Sequence, residues 1–231
     1  MPDLPFRLSP PLAERLRAAA DVEGKLIRAL DVLGPLSGRD VALLDVPAGP
    51  LRDRFADAGI AALDVPIGAL DVARSASDAP LAEPLRIDVP DASLDAVVTL
   101  WGGFRGVRPG DLREADRVLR PFGRLLVIHD YGRDDVSALV DAQLPEYQAW
   151  SRRDGPFLRG GGFKIRVVHA FWTFPSVEET QGFLAEAFGE RGVAVGATLK
   201  RPRLSWNVAI YHRWRGGLAP EGEAEPVDPA P

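Results

Sequence analysis

The segment from Arg39 to Phe55, RDVALLDVPAGPLRDRF, constrains the fold of this chain more than any other. Its residues 41–46 form an apolar run broken only by Asp45, which predicts a strand buried on both faces, as in a parallel sheet. Small residues follow, and Pro50 suits the first turn of a helix. A strand, a small-residue turn and a helix in this order are typical of a nucleotide-cofactor site, although Pro47 stands where such turns usually carry glycine.

Strands and helices alternate along much of the remaining sequence, which implies right-handed crossovers and a mostly parallel sheet. Six further strands are predicted: Ile60–Val65, Leu85–Val89, Leu94–Trp101, Gly123–Tyr131, Val193–Leu199 and Ser205–Trp214. The linker KRPRL between the last two is too short for a parallel crossover, so these two strands form an antiparallel pair. The predicted fold is α/β: a Rossmann-like, seven-stranded, mostly parallel sheet with helices on both faces and a C-terminal antiparallel strand pair.

Capping residues mark the predicted helix starts. Ser9 and Pro10 begin a helix whose apolar residues keep a helical spacing to about Leu33. Two capping boxes are predicted further along the chain, at Asp111 with Glu114 and at Ser176 with Glu179.

The domain prediction is a single unit over residues 1–215. It comprises an N-terminal helical segment, 1–38, and an insertion or lid, 133–175, after the fifth strand. The tail 216–231 is rich in Gly, Pro and Glu, which predicts disorder. The segment Lys164–Phe174 is predicted to be extended. For its aromatic run, His169–Phe174, we expect core packing, with a lid or a homodimer surface as the alternatives.

Composition excludes several classes of function. The formal net charge is −5, whereas a general nucleic-acid binder needs a basic face to neutralise phosphates. The chain has no cysteine, so disulfides and thiolate metal sites are excluded, and its three histidines lack metal-ligand spacing. No apolar run approaches the roughly 20 residues of a membrane span, and the N-terminus lacks the order of a signal peptide. A cytoplasmic protein without membrane or nucleic-acid partners is expected.

Four segments occur in the order and at the separations found in the class I S-adenosylmethionine-dependent methyltransferases. They are LLDVPAGP, ALDVPIGALDVAR, RIDVPDASLDAVVTLW and LREADRVLRPFGRLLVIHDYG. Over roughly Val41–Leu126 the chain therefore resembles that family, and in particular its type 11-like members. The resemblance implies S-adenosylmethionine as the cofactor and methyl transfer to a small molecule as the activity.

The resemblance also assigns roles to residues at the strand ends. Asp64 lies 19 residues after Asp45, close to the ~20-residue separation of an acidic residue that binds a ribose. By motif, Asp45 anchors the first turn and Gly49 allows close approach of the ligand. The remaining implied cofactor-binding positions are Pro47 in the first turn, Asp64 with Val65 at the ribose, Asp88 with Val89 at the adenine, and Leu100 with Trp101 lining the pocket.

One departure from the family pattern keeps a second function open. The first turn has glycine at alternate positions in the family, but here those positions are Pro47, Gly49 and Leu51. Proline fixes φ near −65° and donates no N–H, and leucine adds bulk. The alternative is therefore a catalytically degenerate methyltransferase-like scaffold that acts as a binding or interaction protein.

Candidates for catalysis and substrate binding lie further along the chain. His129 ends the fifth strand and is the candidate general base, whereas His169 and His212 are interpreted as structural. Lys200, with the nearby Arg201 and Arg203, is placed beyond the predicted sixth strand, where these cations favour an anionic acceptor. A solvated basic loop is the alternative.

Overall fold

In the computed structural model, the described residues are 8–45, 51–66, 85–100, 104, 107–139 and 149–217. Within these ranges, the side chains at positions 45, 52, 53 and 64–66 are not described. None of the helices in these ranges combines the length and the apolar character needed to cross a bilayer.

Five α-helices are present in the described part of the chain: α1 (Pro10–Ala19), α2 (Lys25–Leu33), α3 (Arg52–Asp57), α4 (Pro109–Val118) and α5 (Val177–Thr198). Short 3₁₀ turns occur at Ser137–Leu139 and Arg215–Gly217, and a π-helical turn at Pro156–Gly160. Six strands form one sheet: β1 (Val41–Asp45), β2 (Ala62–Pro66), β3 (Leu94–Leu100), β4 (Leu119–Asp130), β5 (Lys164–Thr173) and β6 (Arg203–Trp214).

The strand order across the sheet is β2-β1-β3-β4-β6-β5. Strands β2, β1, β3 and β4 are parallel, and β6 is antiparallel to both of its neighbours, β4 and β5. The prediction of an α/β, Rossmann-like, mostly parallel sheet with a closing antiparallel pair is confirmed. The described residues contain six strands rather than seven.

The closing pair differs from the prediction in one member. The predicted strand Val193–Leu199 is the last part of helix α5, and the antiparallel partner of β6 is instead β5, for which only an extended segment was predicted. β5 lies within residues 133–175, so part of the predicted insertion belongs to the sheet.

Two glycines shape helix α5, whose second segment contains residues 193–198. Gly189 has φ 57° and ψ −138° and divides α5 into two segments. Three residues later, a Cβ on Gly192 would lie 1.8 Å from the carbonyl oxygen of Leu184, so only glycine allows the second segment to pack back this closely. Residues 193–198 therefore belong to a helical segment that packs back on the first, and Leu199 is its C-cap.

The predicted strand Leu85–Val89 is also not a strand in the structure. Its backbone is hydrogen-bonded to side chains of α4. Helix α4 begins at Pro109, with Arg108 as its N-cap and no side-chain cap bond, so the predicted capping box at Asp111 and Glu114 is wrong. The predicted box at Ser176 is supported, because the Ser176 hydroxyl accepts from the amide of Glu179 at 3.1 Å.

The N-terminal helical segment is two helices rather than the single predicted helix. Asp21 has φ 47°, and its carboxylate accepts from the amides of Lys25 and Leu26, each at 2.9 Å, which caps α2. Burial raises the pKa of Asp21, while the two amides oppose that rise. The positive φ of Asp21 marks the point at which the chain turns between α1 and α2.

Two apolar clusters cover the two faces of the sheet. The larger cluster joins α1, α2, α3 and α5 to one face, and the smaller joins α4 and residues 150–163 to the other. In the aromatic run His169–Phe174, Ala170, Trp172 and Phe174 are buried in the larger cluster. Core packing, the expected role of this run, is confirmed.

Candidate functional site

The carboxyl ends of the parallel strands lie at one edge of the sheet, which we call the rim. From β1 the chain moves outward to β2 and then returns to the other side of β1 as β3, so the direction of winding reverses between β1 and β3. Open α/β sheets bind ligands outside the strand ends at such a reversal. The rim beside β1 is therefore the candidate site.

Asp45 is the last residue of β1 and lies at this reversal. It is opposite Pro66, the last residue of β2, while Leu44 is paired with both Val65 of β2 and Thr99 of β3. The central strand of the parallel group thus ends in a carboxylate residue flanked by the ends of both neighbouring strands.

Asp64 lies close to Asp45 through the strand register. Asp64 is opposite Leu43, two residues before the end of β1, and Val65 follows it. Strand spacing and rise place the Cα atoms of the two aspartates about 8 Å apart. The structure therefore brings together two of the three aspartates that the resemblance assigns to the cofactor.

Leu100 is the last residue of β3 and is 1% exposed. It belongs to the larger apolar cluster, as does Leu51, which is fully buried at the start of α3. The predicted positions Pro47, Gly49 and Trp101 lie outside the described residues.

Asp88 and Val89 lie in an extended segment, residues 85–89, that runs alongside α4. The Leu85 amide donates to Asp111 at 3.0 Å, and the Ile87 amide donates to Glu114 at 2.7 Å. The guanidinium of Arg117 donates to the carbonyl oxygens of Ile87 at 2.8 Å and of Val89 at 2.9 Å. We call these three side chains of α4, namely Asp111, Glu114 and Arg117, the α4 ladder.

The α4 ladder takes over the role that backbone pairing has in a strand. Its members lie three residues apart, on one side of the helix, and contact alternate residues of the extended segment. Hydrogen bonding by Arg117 lowers the pKa of Glu114, which keeps that carboxylate ionised. The spacing of Asp111, Glu114 and Arg117 is visible in the sequence, but there the pair Asp111 and Glu114 predicts a capping box instead.

The segment 85–89 leads away from the rim. Val89 and Pro90 line a cavity of about 470 Å³ together with Val41 and Leu94, the first residues of β1 and β3. Asp88, which is exposed, precedes this point by one residue. The structure thus places Val89 near the edge where the parallel strands begin, whereas the motif assignment put it beside the adenine at the rim.

His129 is the next-to-last residue of β4 and is fully buried. Its ring centroid lies 4.6 Å from that of Trp150, 6.1 Å from that of Phe157 and 6.5 Å from that of Tyr211. The neighbouring Asp130 faces the opposite side of the sheet and accepts from the indole of Trp206 at 2.8 Å. A catalytic role for His129 stays a prediction.

The other two histidines, His169 and His212, lie on strands β5 and β6. His169 is exposed, and its Nδ1 lies 2.6 Å from the Oδ1 of Asn207, the residue opposite it on β6. Burial, followed by the charges of Arg124, Lys164 and Arg166, lowers the pKa of His212 to about 4. His212 is therefore neutral at physiological pH, in agreement with a structural role.

Of the cations after the predicted sixth strand, Lys200 and Arg201 lie in the turn between α5 and β6, and Arg203 is the first residue of β6. β6 runs antiparallel to β4 and begins beyond the β4 end, so Lys200, Arg201 and Arg203 still lie on the rim side of the sheet. Arg203 stacks on Phe171 at 4.2 Å and is 3.9 Å from Glu23. Lys200 and Arg201 are exposed.

Two aspartates that sequence reasoning missed hold the loop after β4 at the rim. Asp135 accepts from the amide of Ser205 at 2.8 Å and from its hydroxyl at 2.7 Å. Asp134 accepts from the amide of Asn207 at 2.6 Å, and burial raises its pKa. The pattern Asp-Asp after a strand is common in loops, so the sequence alone does not reveal this role. In the described ranges, no group of three His, Cys, Asp or Glu residues could hold a metal ion.

Comparison with known proteins gives distant structural likeness only. No family model and no curated protein matches the chain. The chain is similar to a protein from Anaeromyxobacter dehalogenans described as a type II methyltransferase, with 17% identity over 82% of this chain and 94% of that chain and a TM-score of 0.47. It is also similar to a chain of the complex between the Haloferax volcanii Trm112 methyltransferase activator and a methyltransferase (18% identity, 82% and 89% covered, TM-score 0.45).

A third similar structure is geranyl diphosphate methyltransferase in complex with GPP and sinefungin (14% identity, 84% of this chain and 78% of that chain covered, TM-score 0.40). All three TM-scores are below 0.5. The α/β, Rossmann-like assignment therefore rests on the strand order and register of this chain itself.

Proposed function

We propose that this chain binds S-adenosylmethionine at the rim beside β1 and transfers its methyl group to a small molecule. The observation that carries the proposal is the reversal of winding between β1 and β3, with Asp45 as the last residue of the central strand. Asp64 on the neighbouring strand supplies a second acidic residue, whose Cα lies about 8 Å from that of Asp45 by strand spacing and rise.

The residues at the rim fit the chemistry of this cofactor. A carboxylate on β2 can accept hydrogen bonds from ribose hydroxyls, and the amino group of the cofactor can be paired by a carboxylate at the end of β1. When bound, the cofactor supplies a methyl group on a sulfonium, which is already a good leaving group. The chain then has to hold the acceptor nucleophile in line with that methyl group, at a distance of about 3–3.5 Å.

A general base is optional in such a reaction, since orientation alone can lower the barrier by about 7–11 kcal/mol. We propose His129 as the base where the acceptor needs one. For the acceptor itself, the cations at the rim, Lys200, Arg201 and Arg203, favour an anionic small molecule. Arg203 already stacks on Phe171, which leaves the exposed Lys200 and Arg201 as the side chains with the greater freedom to reach an anion.

Calorimetric or thermal-melt titration with S-adenosylmethionine and with S-adenosylhomocysteine tests the proposal. A ligand at about 100 times its dissociation constant adds roughly 2.7 kcal/mol to the stability of the folded protein. Asp64→Ala should weaken binding roughly tenfold or more, the scale of one lost hydrogen bond to a charged group. Asp57→Ala is the matched control, because Asp57 is an exposed aspartate at the end of α3 whose ion pair spans 3.8 Å.

The alternative is a degenerate scaffold that serves as a binding or interaction protein. Pro47 in the first turn favours this alternative, and so does Leu51, which fills the core at the start of α3. Unchanged melting temperature at millimolar S-adenosylmethionine would support the scaffold, and equal affinities of Asp64→Ala and wild type would remove Asp64 from the site.

A further inference from the structure

Strand β5 forms one edge of the sheet. It is the last strand in the order β2-β1-β3-β4-β6-β5, and in the described part of the chain its only strand partner is β6. Its register with β6 runs over all ten of its residues, and it contains no proline. Natural sheets protect an open edge with a very short strand, a proline, a bulge or a covering segment, because an open edge pairs readily with another strand. We therefore examine how far this edge is covered.

Contacts within the chain close the edge of β5 at its two ends. The Phe171 carbonyl oxygen accepts from the amide of Asp21 at 3.0 Å, so the backbone of Phe171 faces the outer side. At the other end, Phe163 precedes the strand, and its amide donates to the carbonyl oxygen of Phe157 at 3.1 Å. Backbone groups of alternate residues face the same side of an antiparallel strand. Between the two contacts, the outward-facing residues are Ile165, Val167 and His169.

The open stretch between these contacts is symmetric about Val167. An antiparallel copy of the same stretch can therefore pair with it about a twofold axis at this residue. Val167 is then opposite itself, and Ile165 is opposite His169 of the second copy. Each such pair of outward-facing residues exchanges two backbone hydrogen bonds, so the three pairs supply about six.

Side-chain charge favours this register over its neighbours in one direction. With the axis at Val167, Lys164 is opposite Ala170 and Arg166 is opposite Val168, so each cation lies opposite an apolar residue. An axis one residue earlier would place Arg166 opposite itself, and an axis two residues earlier would place Lys164 opposite Arg166. Like charges directly opposite each other are destabilising.

The contact at Phe171 excludes registers in the other direction. An axis at Val168 or at His169 would require Phe171 to pair with the second copy. Its carbonyl oxygen is already bonded to Asp21. The axis at Val167 is thus the register that uses all of the open stretch and opposes no like charges.

We propose that a second copy of this chain pairs with β5 in this way and joins the two six-stranded sheets into one continuous sheet. Backbone hydrogen bonds along the edge supply the attraction, and the side chains fix the register. The two copies contribute the same surface, as a twofold interface requires. The paired edge lies at the opposite side of the sheet from β1 and β2, so the dimer does not depend on the proposed methyl transfer.

Cysteine cross-linking tests the register, because the chain has no cysteine of its own. With the axis at Val167, the two Cα atoms at position 167 are about 5.5 Å apart, which suits a disulfide. Val167→Cys should therefore form a covalent dimer of about twice the 25.0 kDa chain mass under mild oxidation. Ile165→Cys is the matched control on the same edge, since its two copies would lie about 14 Å apart and should stay monomeric.

A doubly substituted chain sharpens this test. Ile165→Cys combined with His169→Cys should cross-link between copies, because these positions are opposite each other in the dimer. Within one chain the same two positions are about 13 Å apart along the strand, which is too far for a disulfide.

Sedimentation equilibrium measures the association of the unmodified chain. The mass should rise from 25.0 kDa towards twice that value as the concentration increases to about 100 µM. Val167→Lys should stay monomeric, because it places two lysines opposite each other at the axis. Val167→Thr keeps a β-branched residue there and should still dimerise. Circular dichroism melts of both variants check that the fold is retained.

A wild-type chain that stays monomeric at 100 µM would overturn the proposal. Equal cross-linking of Val167→Cys and Ile165→Cys would also contradict it, because random collision would then explain both. A dimer that persists in a folded Val167→Lys variant would place the interface elsewhere on the molecule.

Discussion

The two halves of the sheet are held by different kinds of interaction. In the closing half, β4, β6 and β5 have 12, 12 and 10 residues, and Trp172 and Trp206 are buried against the helices on one face. In the parallel half, β1 and β2 have five residues each, and the flanking segment 85–89 is fixed by charged side chains of α4. The difference indicates that apolar packing of large side chains stabilises the closing half, while the parallel half carries the proposed ligand site.

The largest effect is expected from Trp172→Ala. Trp172 is fully buried, with its ring edge-on to Phe183 at 6.4 Å and to Trp206 at 6.0 Å. Removing a buried tryptophan side chain leaves a cavity and should cost about 3–5 kcal/mol of unfolding free energy, measured by urea denaturation. Val32→Ala is the control, since Val32 is 54% exposed and its loss should change stability by less than about 0.5 kcal/mol. A similar cost for both variants would contradict the assignment of stability to the closing half.

Acidification should weaken the closing half first, through His212. Burial and neighbouring cations lower the pKa of His212 to about 4, so the unfolded chain binds the proton more tightly than the folded chain between about pH 6.5 and 4. Stability should therefore fall across that window, by roughly 1–3 kcal/mol. His212→Gln should remove this part of the pH dependence, measured as unfolding free energy against pH. His169→Gln, on the exposed partner of Asn207, should keep the wild-type slope; a lost slope there would reject His212 as the source.

A smaller effect is expected from Arg117→Ala in the α4 ladder. The substitution removes hydrogen bonds to the carbonyl oxygens of Ile87 and Val89 and leaves Glu114 without its cation. The expected cost is about 1–2 kcal/mol, because Arg117 is partly exposed and its ion pairs are screened by solvent. Arg113→Ala, on the exposed side of the same helix, is the control. Faster amide exchange at Ile87 in Arg117→Ala alone would confirm that the ladder fixes the segment.

The smallest effect is a pH dependence at Glu114. Hydrogen bonding by Arg117 lowers the pKa of Glu114 below its ordinary value near 4.5. A carboxylate with a lowered folded-state pKa contributes stability above the unfolded-state value, and that contribution is lost as the pH falls through the folded-state value. Glu114→Gln should therefore differ from wild type at neutral pH and converge with it as the pH falls through the lowered pKa of Glu114. A constant difference between the two proteins from pH 7 to pH 3 would show that ionisation of Glu114 is irrelevant.

Sequence reasoning predicted the parallel half well where apolar runs are long. β1 and β3 are continuous buried apolar runs, which are typical of parallel strands. Their parallel pairing follows from the alternation of strands and helices. The prediction of a strand at Leu85–Val89 is wrong. That segment has strand-like composition, but its backbone amides donate hydrogen bonds to side chains of α4. No local pattern reports a partner that lies 26 or 27 residues away.

The closing half shows a different reason for error. Residues 193–199 are rich in β-branched residues, as a strand is, yet residues 193–198 are helical and pack back on the first segment of α5 through Gly189 and Gly192. Close packing of backbone against backbone depends on tertiary contacts. Helix and strand propensities are local preferences and do not report such contacts. For the candidate site, sequence placed Asp45 and Asp64 on strands whose register brings them together, but the path of residues 85–89 put Val89 near the opposite edge.

The position of β6 has a consequence for how the protein is made. Among the described residues β6 is the last strand, but it lies inside the sheet, between β4 and β5, and all of β5 is paired with it. During synthesis, β4 and β5 therefore emerge from the ribosome with exposed edges and wait for residues 203–214. Exposed edges and late, long-range pairing favour slow folding and aggregation of incomplete chains. Nascent chains that stop before Trp214 should thus depend on chaperones far more than the finished protein does.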